Sequence, residues 1–322
     1  MGKFHIGDSL IPKINDNEVL LEVKYAGICG TDRDNLSKVK NIVMGHEFCG
    51  KAIKVGKNAN SISIGEHYNV QPNLECGDCD KCNKGNYSLC KSKKCYGTHL
   101  DGGFSQYAIV HKSALYKIDG ELKIRHSLVE PVSCCIHAVS KISHKVAEGD
   151  RALIMGGGFI GLVMLQLLKK MGMTVTVIEP KYKNRLLADK LGAAESVEHF
   201  PDYFHTYPYT IQDHFDVIVE AAGIPDNVQQ AIHMIKAGGT VLIVGVVKPM
   251  GAAYIYPYEF WEKEISVIGS RGNSHDHTHA LKIIDSLEID ELITHRYKLS
   301  QIEDAFNDMK NDDYIKGVID EF

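Results

Sequence analysis

The chain has 322 residues, 44% hydrophobic and 24% charged, the balance of an ordinary globular protein with enough apolar material for two cores. Its formal charge of −5 and the lack of a basic stripe argue against a nucleic-acid partner. No apolar run reaches the length of a membrane span, and the start, Met1-Gly2-Lys3-Phe4-His5, is not a secretory or transit signal, so no membrane partner and a cytoplasmic location are expected.

Residues 1–125 are rich in β-type segments punctuated by glycine. Val19–Tyr25, Cys49–Gly56 and Phe104–Val110 carry the β-branched and apolar content of strands, and several short strands with Gly, Asn and Asp turns suggest a partly open barrel. Two segments of this region carry residues with metal chemistry: Gly27-Ile28-Cys29-Gly30-Thr31-Asp32 and Gly45-His46-Glu47, each read as following a strand. A thiolate from Cys29 and an imidazole from His46 suit an open catalytic zinc. Taken singly, each residue has a plainer reading, as a small buried thiol and as a hydrogen-bonded core histidine.

Cys76, Cys79, Cys82 and Cys90 follow at C-x2-C-x2-C-x7-C spacing and can close around one tetrahedral ion. Four thiolates make a soft, closed site with no redox demand, which favours structural zinc. An iron–sulfur run of the bacterial ferredoxin type has a short last gap and a proline after its fourth cysteine, whereas here Lys91 follows. Disulfides fit poorly, because the other five of the nine cysteines are scattered and odd in number. A nucleic-acid-binding zinc ribbon is opposed by the charge.

The pattern changes after Glu130-Pro131. Ser133–Ile142 reads as a helix capped by Ser133, Arg151–Met155 as a strand, Phe159–Met171 as a helix, Thr174–Ile178 as a strand and Lys183–Leu191 as a helix. Asp216–Glu220, Thr240–Val244 and Ile265–Ile268 are further strands of the fully buried type. Alternating strands and helices predict a parallel sheet with helices on both faces. Residues 198–214, with Pro201 and Pro208 and no clean period, read as a loop or ragged helix. After Gly272 come a helix, Thr278–Ser286, and a tail through Val318-Ile319-Asp320 that could return to the first domain. His275-Asp276-His277-Thr278-His279 spreads its imidazoles around a helix start and reads as a loop and cap rather than a metal cluster.

Gly156-Gly157-Gly158-Phe159-Ile160-Gly161 matches G-x-G-x-x-G between a strand and a helix. Gly156 allows the tight turn, Gly158 lets a pyrophosphate approach, Gly161 lets helix pack on strand, and the helix N-terminus at Phe159 and Ile160 faces the phosphates. Glu179 ends the next strand, eighteen residues after Gly161, where an acid would bind the adenosine ribose hydroxyls and disfavour a 2′-phosphate. NAD is therefore expected, with Lys181, Lys183 and Arg185 keeping NADP as the alternative.

Together, G-I-C-G-T-D, G-H-E, the four-cysteine run and G-G-G-F-I-G stand in the order and near the spacing of the zinc-dependent medium-chain dehydrogenases, which the chain resembles over nearly its whole length. Leu128-Val129-Glu130-Pro131-Val132-Ser133 resembles the E-P segment of the polyol branch, that of the sorbitol, xylitol, threonine and glucose dehydrogenases. The resemblance implies an α/β chain: a Rossmann doubly wound parallel sheet over 131–272, and a β-rich GroES-like catalytic domain with a structural zinc lobe over 1–130 and 273–322. It implies two zinc ions per chain, the catalytic one at Cys29, His46, Glu47 and Glu130, with either glutamate binding directly or through water. Cys134 and Cys135 have no such role in the family pattern, and a plainer reading of Glu130 is an acid near a helix start.

The implied reaction is reversible oxidation of an alcohol, polyol or sugar-like substrate in the cleft between domains. Thr31 takes the alcohol proton, and Arg271 lies near the nicotinamide and substrate. Asp34 stands where many relatives continue the proton relay with histidine, which gives a sugar substrate weight. A short segment from Arg33 to Met44 carries Arg33, Lys38 and Lys40, either a solvated face or a means of selecting a phosphorylated substrate. A glucose-type or threonine-like dehydrogenase, and a catalytically silent zinc- and nucleotide-binding protein, are the alternatives. The resemblance also implies a homodimer or homotetramer.

Overall fold

Strands and helices alternate in two styles along the chain. The structure, a computed structural model, describes residues 4–11, 13–199, 214–247 and 250–322. The first stretch holds β1 (Glu18–Ile28), α1 (Gly30–Asn35), β2 (Glu47–Val55), β3 (His67–Val70), β4 (Asn73–Leu74), β5 (Lys94–Cys95), β6 (Tyr107–His111) and β7 (Leu115–Lys117). Then follow α2 (Val129–Ser140), β8 (Arg151–Met155), α3 (Phe159–Lys170), β9 (Thr174–Ile178), α4 (Tyr182–Lys190), β10 (Glu195–Val197), β11 (Phe215–Glu220), α5 (Pro225–Met234), β12 (Ile235–Ile243), α6 (Pro257–Lys263) and β13 (Ser266–Gly269). The last stretch holds α7 (His277–Ile283), β14 (Ile293–Lys298), α8 (Ile302–Asp308) and β15 (Lys316–Glu321). Two compact units result, Met1–Ser133 with Asn273–Phe322, and Cys134–Gly272, the division falling inside α2.

In the first unit β1 is the hub. Val19, Leu21 and Val23 alternate into the core, where Phe48, Tyr68, Val110 and Ile319 meet them. Each wholly buried side chain of this size contributes about 2 kcal/mol. The sheet runs β14-β15-β1-β2-β3-β7, with β6 also on β1. The C-terminal strand β15 pairs antiparallel with the end of β1, Ile28 opposite Gly317, which sets Lys316 beside the chain entering Cys29. β4 and β5 form a two-residue ribbon, Asn73 opposite Cys95, that closes the base of the cysteine lobe.

The second unit is a six-stranded parallel sheet, β10-β9-β8-β11-β12-β13. Counted within the unit, this is the 3-2-1-4-5-6 order of doubly wound dinucleotide folds, with its switch point between β8 and β11. Leu162, Val163, Met164, Leu165 and Leu168 of α3 are fully buried, which explains why this helix reads as apolar all round.

Several boundaries differ from the sequence reading, β12 for example starting at Ile235 rather than Thr240, and two of them have a clear physical cause. α2 starts at Val129, not Ser133, and the Ser133 hydroxyl donates to the Glu130 carbonyl within it at 2.6 Å. Pro131 sits in the first turn, where its missing N–H breaks no helical bond, so the helix grows directly from the 3-10 turn Ile124–Leu128. The strand expected from Phe104 starts at Tyr107, because the amides of Gly102, Gly103 and Phe104 bond the carbonyls of Val43, Gly45 and Met44 instead. The expected loop over 198–214 lies, for residues 200–213, outside the described residues. Among the described residues no helix is long and apolar enough to cross a membrane.

His277, at the start of α7, is fully buried beside the Tyr116 ring, and burial holds its pKa down at about 3. It stays neutral in the folded chain, whereas in the unfolded chain it binds a proton below its ordinary pKa of about 6.5. Stability is therefore expected to fall by about 1.4 kcal/mol for each pH unit below that value, until the folded pKa is reached. Urea midpoints of the wild type and His277→Leu between neutral and mildly acid pH check this. The variant's midpoint should fall less steeply, and parallel curves would contradict it.

Candidate metal centre and nucleotide loop

Cys29 directly follows β1 and caps α1, while His46 and Glu47 lead into the neighbouring strand β2 rather than following a strand. Because β1 and β2 pair with Gly27 opposite Glu47, the two segments meet. A ligand atom from each of Cys29, His46 and Glu47 lies within 4.8 Å of the others. A Cβ at Gly27 would meet the Glu47 carboxylate and the Leu128 side chain, so glycine gives the carboxylate its room here.

Asp32 orders this group. One carboxylate oxygen accepts from the Cys29 amide at 3.0 Å, and the other lies 2.9 Å from His46 Nδ1. That bond commits Nδ1–H to Asp32 and leaves the Nε2 lone pair for a metal. Burial alone would lower the His46 pKa, but the charge and hydrogen bond of Asp32, with help from Cys29, hold it well above the ordinary value. Lys316 closes the far side: its ammonium lies 2.6 and 2.8 Å from the two Glu47 oxygens, both side chains being buried. Burial would lower the Lys316 pKa, yet Glu47, Cys29 and Asp32 raise it.

Glu130 is buried but does not join the group of three; its Oε1 accepts from Asn273 Nδ2 at 3.2 Å. Three carboxylates against the Lys316 ammonium and the His46 imidazole leave an excess of negative charge, which a divalent cation would balance. The donor set of one sulfur, one imidazole and carboxylate oxygen fits zinc. Thr31 is exposed on the first turn of α1, and Asp34 is exposed and paired with Arg33 at 3.6 Å. Cys95 feels the charges of His46 and Glu130, although burial dominates and pushes its thiol up.

The four-cysteine lobe has sulfur–sulfur separations of 3.5, 3.6 and 3.9 Å. A tetrahedron with ~2.3 Å zinc–sulfur bonds has edges of about 3.8 Å, so the cradle has the right size. The backbone amide of Cys82 is the main influence pulling the Cys79 thiol down to about 6, while Cys76, bonded to Asp78, is pushed up to about 12. A bound cation lets all four ionise together. Cys79→Ser is expected to lose this metal and lower the melting midpoint by about 10 °C, read by metal content and calorimetry. Among the described residues, neither Cys134 and Cys135 nor His275, His277 and His279 form another metal-type group.

In the second unit the glycine loop follows β8. Gly156 has φ +107, the position of a Gly158 Cβ is open space, and a Cβ at Gly161 would collide with the Gly156 carbonyl. Phe159 and Ile160 open α3. Glu179 ends β9, and its carboxylate accepts from the Gly157 amide at 2.7 Å and the Lys181 amide at 2.8 Å. Arg185 donates to the carbonyls of Glu179 and Pro180 and to Glu198, which ties it into the acid's own loop. Arg271 is exposed just after β13.

Sequence reading missed Asp32, Lys316, Cys95 and Asn273 as parts of the site. Asp32 had a signal, as the last residue of G-I-C-G-T-D. Lys316 had none, being 269 residues from its partner.

A doubly wound nucleotide-type sheet, a closed four-thiolate lobe and an open Cys–His–carboxylate group define a zinc-dependent, nicotinamide-linked oxidoreductase. The family model "Alcohol dehydrogenase GroES-like domain" matches residues 15–120, and "Zinc-binding dehydrogenase" matches residues 160–286. D-arabitol-phosphate dehydrogenase of Enterococcus avium is 30% identical, over 97% of this chain and 92% of its own length. D-arabinitol dehydrogenase 1 of Uromyces fabae is 29% identical, over 97% and 93%. A Sinorhizobium meliloti 1021 protein, provisionally assigned as a zinc-binding dehydrogenase and solved with NADP, superposes with TM-score 0.90 at 31% identity, over 96% of this chain and 93% of that one. The chain belongs to the zinc-dependent medium-chain alcohol dehydrogenase family, in company with its polyol dehydrogenases.

Proposed function

We propose that the chain oxidises a secondary hydroxyl of a polyol to the ketone, with NAD accepting the hydride and one proton released. The observation that carries this reading is the convergence of Cys29, His46 and Glu47 ligand atoms within 4.8 Å, ordered by Asp32. Cys29 and His46 hold the catalytic ion, with Glu47 and Glu130 beside it. Zinc bound there lowers the pKa of an alcohol hydroxyl and favours the alkoxide. Thr31 receives the hydroxyl proton. Arg271 contacts the nicotinamide or substrate.

NAD is preferred over NADP because the Glu179 carboxylate occupies the loop where a 2′-phosphate would sit, and Arg185 is committed to carbonyls and to Glu198. A phosphorylated polyol is the second reading, favoured by exposed Arg33, Lys38 and Lys40 just after Cys29. The open edge of β13 and the exposed Tyr254, Tyr258 and Trp261 support a homodimer or homotetramer. Metal sites built on thiols support a reducing cytoplasm.

Initial rates of the zinc-replete protein with NAD and with NADP test the reading, against arabitol, sorbitol, their phosphates, glucose and threonine. A polyol or its phosphate with NAD should be fastest. Turnover restricted to glucose or threonine points to the other dehydrogenase types, and none at all to a silent zinc- and nucleotide-binding protein.

A further inference from the structure

The short run Asn273-Ser274-His275 touches two places that the chemistry treats separately. At one end Asn273 Nδ2 donates to Glu130 at 3.2 Å. At the other, the Ser274 hydroxyl donates to the Gly85 carbonyl of the cysteine lobe at 3.1 Å. The His275 ring packs edge-on against Tyr87 at 4.1 Å between centroids, and lies 3.7 Å from Glu75, the residue before Cys76. His275 holds φ +66, a left-handed conformation that costs a non-glycine residue energy and persists only where its surroundings enforce it. Just after it, Asp276 accepts from the Ser274 amide at 2.8 Å. Three consecutive residues are thus pinned by independent contacts, one to the catalytic carboxylate and two to the lobe.

We propose that Asn273–His275 is a strap through which the four-cysteine lobe holds the Glu130 carboxylate outside the Cys29–His46–Glu47 group, keeping one metal position open for substrate. Asn273 is the positioning residue, and Ser274 and His275 are its anchors. The lobe then has a function beyond stability: it fixes the distance of a carboxylate that would otherwise close the site. This rests on the reading of Glu130 as a neighbour of the catalytic metal.

The test uses the full-length protein with Co2+ exchanged into both sites, whose one-thiolate and four-thiolate spectra differ, and the rate at which a chromophoric chelator removes the catalytic ion. Asn273→Ala removes the Asn273 hydrogen bond to Glu130. Ser274→Ala with His275→Gly removes the lobe anchors, together with the 3.4 Å contact of His275 to the Tyr116 hydroxyl, while glycine keeps the left-handed backbone without strain. Both variants should shift the one-thiolate spectrum in the same direction and slow release of that ion about tenfold, the scale of outer-shell effects on metal affinity. The lobe ion should stay in place. Adding Glu130→Gln to either variant should cancel both changes.

No shift in the Ser274/His275 variant, faster release, or a shift that survives Glu130→Gln would each overturn the strap. Because the readout needs no substrate, failure of the polyol assignment leaves it interpretable. A wild-type site that takes up no Co2+ at Cys29 would instead overturn the metal reading and the strap with it.

Discussion

Exchange of Cys29 for serine is expected to lower kcat/KM for the best polyol by at least about 10³-fold while leaving the far-UV spectrum unchanged. A Lewis acid at the reacting oxygen supplies several kcal/mol of transition-state stabilisation, and each ~1.4 kcal/mol is tenfold in rate. Serine keeps the size of the side chain but replaces a soft thiolate by a poor ligand, so one zinc per chain should be lost. The fold should survive, because Cys29 directly follows β1 and its amide bond to Asp32 does not involve sulfur. Steady-state rates and metal content measured on one preparation check both halves. Undiminished turnover would remove Cys29 from the chemistry.

Replacement of Lys316 by methionine should be the most destabilising of the single changes considered. Glu47 is fully buried and Lys316 is 5% exposed, so the substitution strands a carboxylate without its ion-pair partner. Breaking a buried pair in this way costs about 3–5 kcal/mol, because a buried charge is left uncompensated. The double variant Lys316→Met with Glu47→Gln removes both charges and should recover most of that loss. Urea unfolding of the two single variants and the double in a Cys29→Ser background, which removes the neighbouring metal, gives the coupling directly. A loss below about 1 kcal/mol in Lys316→Met would mean that the pair is effectively solvated.

Local features of this chain are legible in its sequence, and contacts between distant segments are not. The parallel sheet was legible because each strand, such as Val217–Val219, is a short apolar run bounded by turn residues. The nucleotide loop was legible because its glycines follow one another on one turn. Cys29, His46 and Glu47 stand out as residue types in short motifs, and the β1–β2 register brings them together. What the sequence did not reveal is the packing around them. Lys316 reaches Glu47 only because β15 pairs with β1, a contact that no local pattern encodes. Asn273 meets Glu130 for the same kind of reason, across 143 positions. The start of α2 was misplaced because Pro131 was read as a boundary, whereas in a first turn it is tolerated. The strand expected at Phe104 was shortened by backbone bonds to residues 43–45, again a tertiary override of local propensity.

The roles of the two thiolate groups follow from how many ligands each can offer. Four sulfurs within 4.8 Å of one another, three of their separations being 3.5–3.9 Å, can complete a tetrahedron and leave no coordination position for substrate. Cys29 and His46 leave room, and the two glutamates beside them are engaged elsewhere, Glu47 by Lys316 and Glu130 by Asn273. On the proposed reading, chemistry belongs to the open group and the lobe is its structural support.

Metal analysis of the purified full-length protein tests this division most directly. The account predicts two zinc ions per chain and a colourless protein, one ion being lost in Cys29→Ser and the other in Cys79→Ser. Two zinc ions retained in Cys29→Ser, a single zinc in the wild type, or iron with visible absorbance would contradict it.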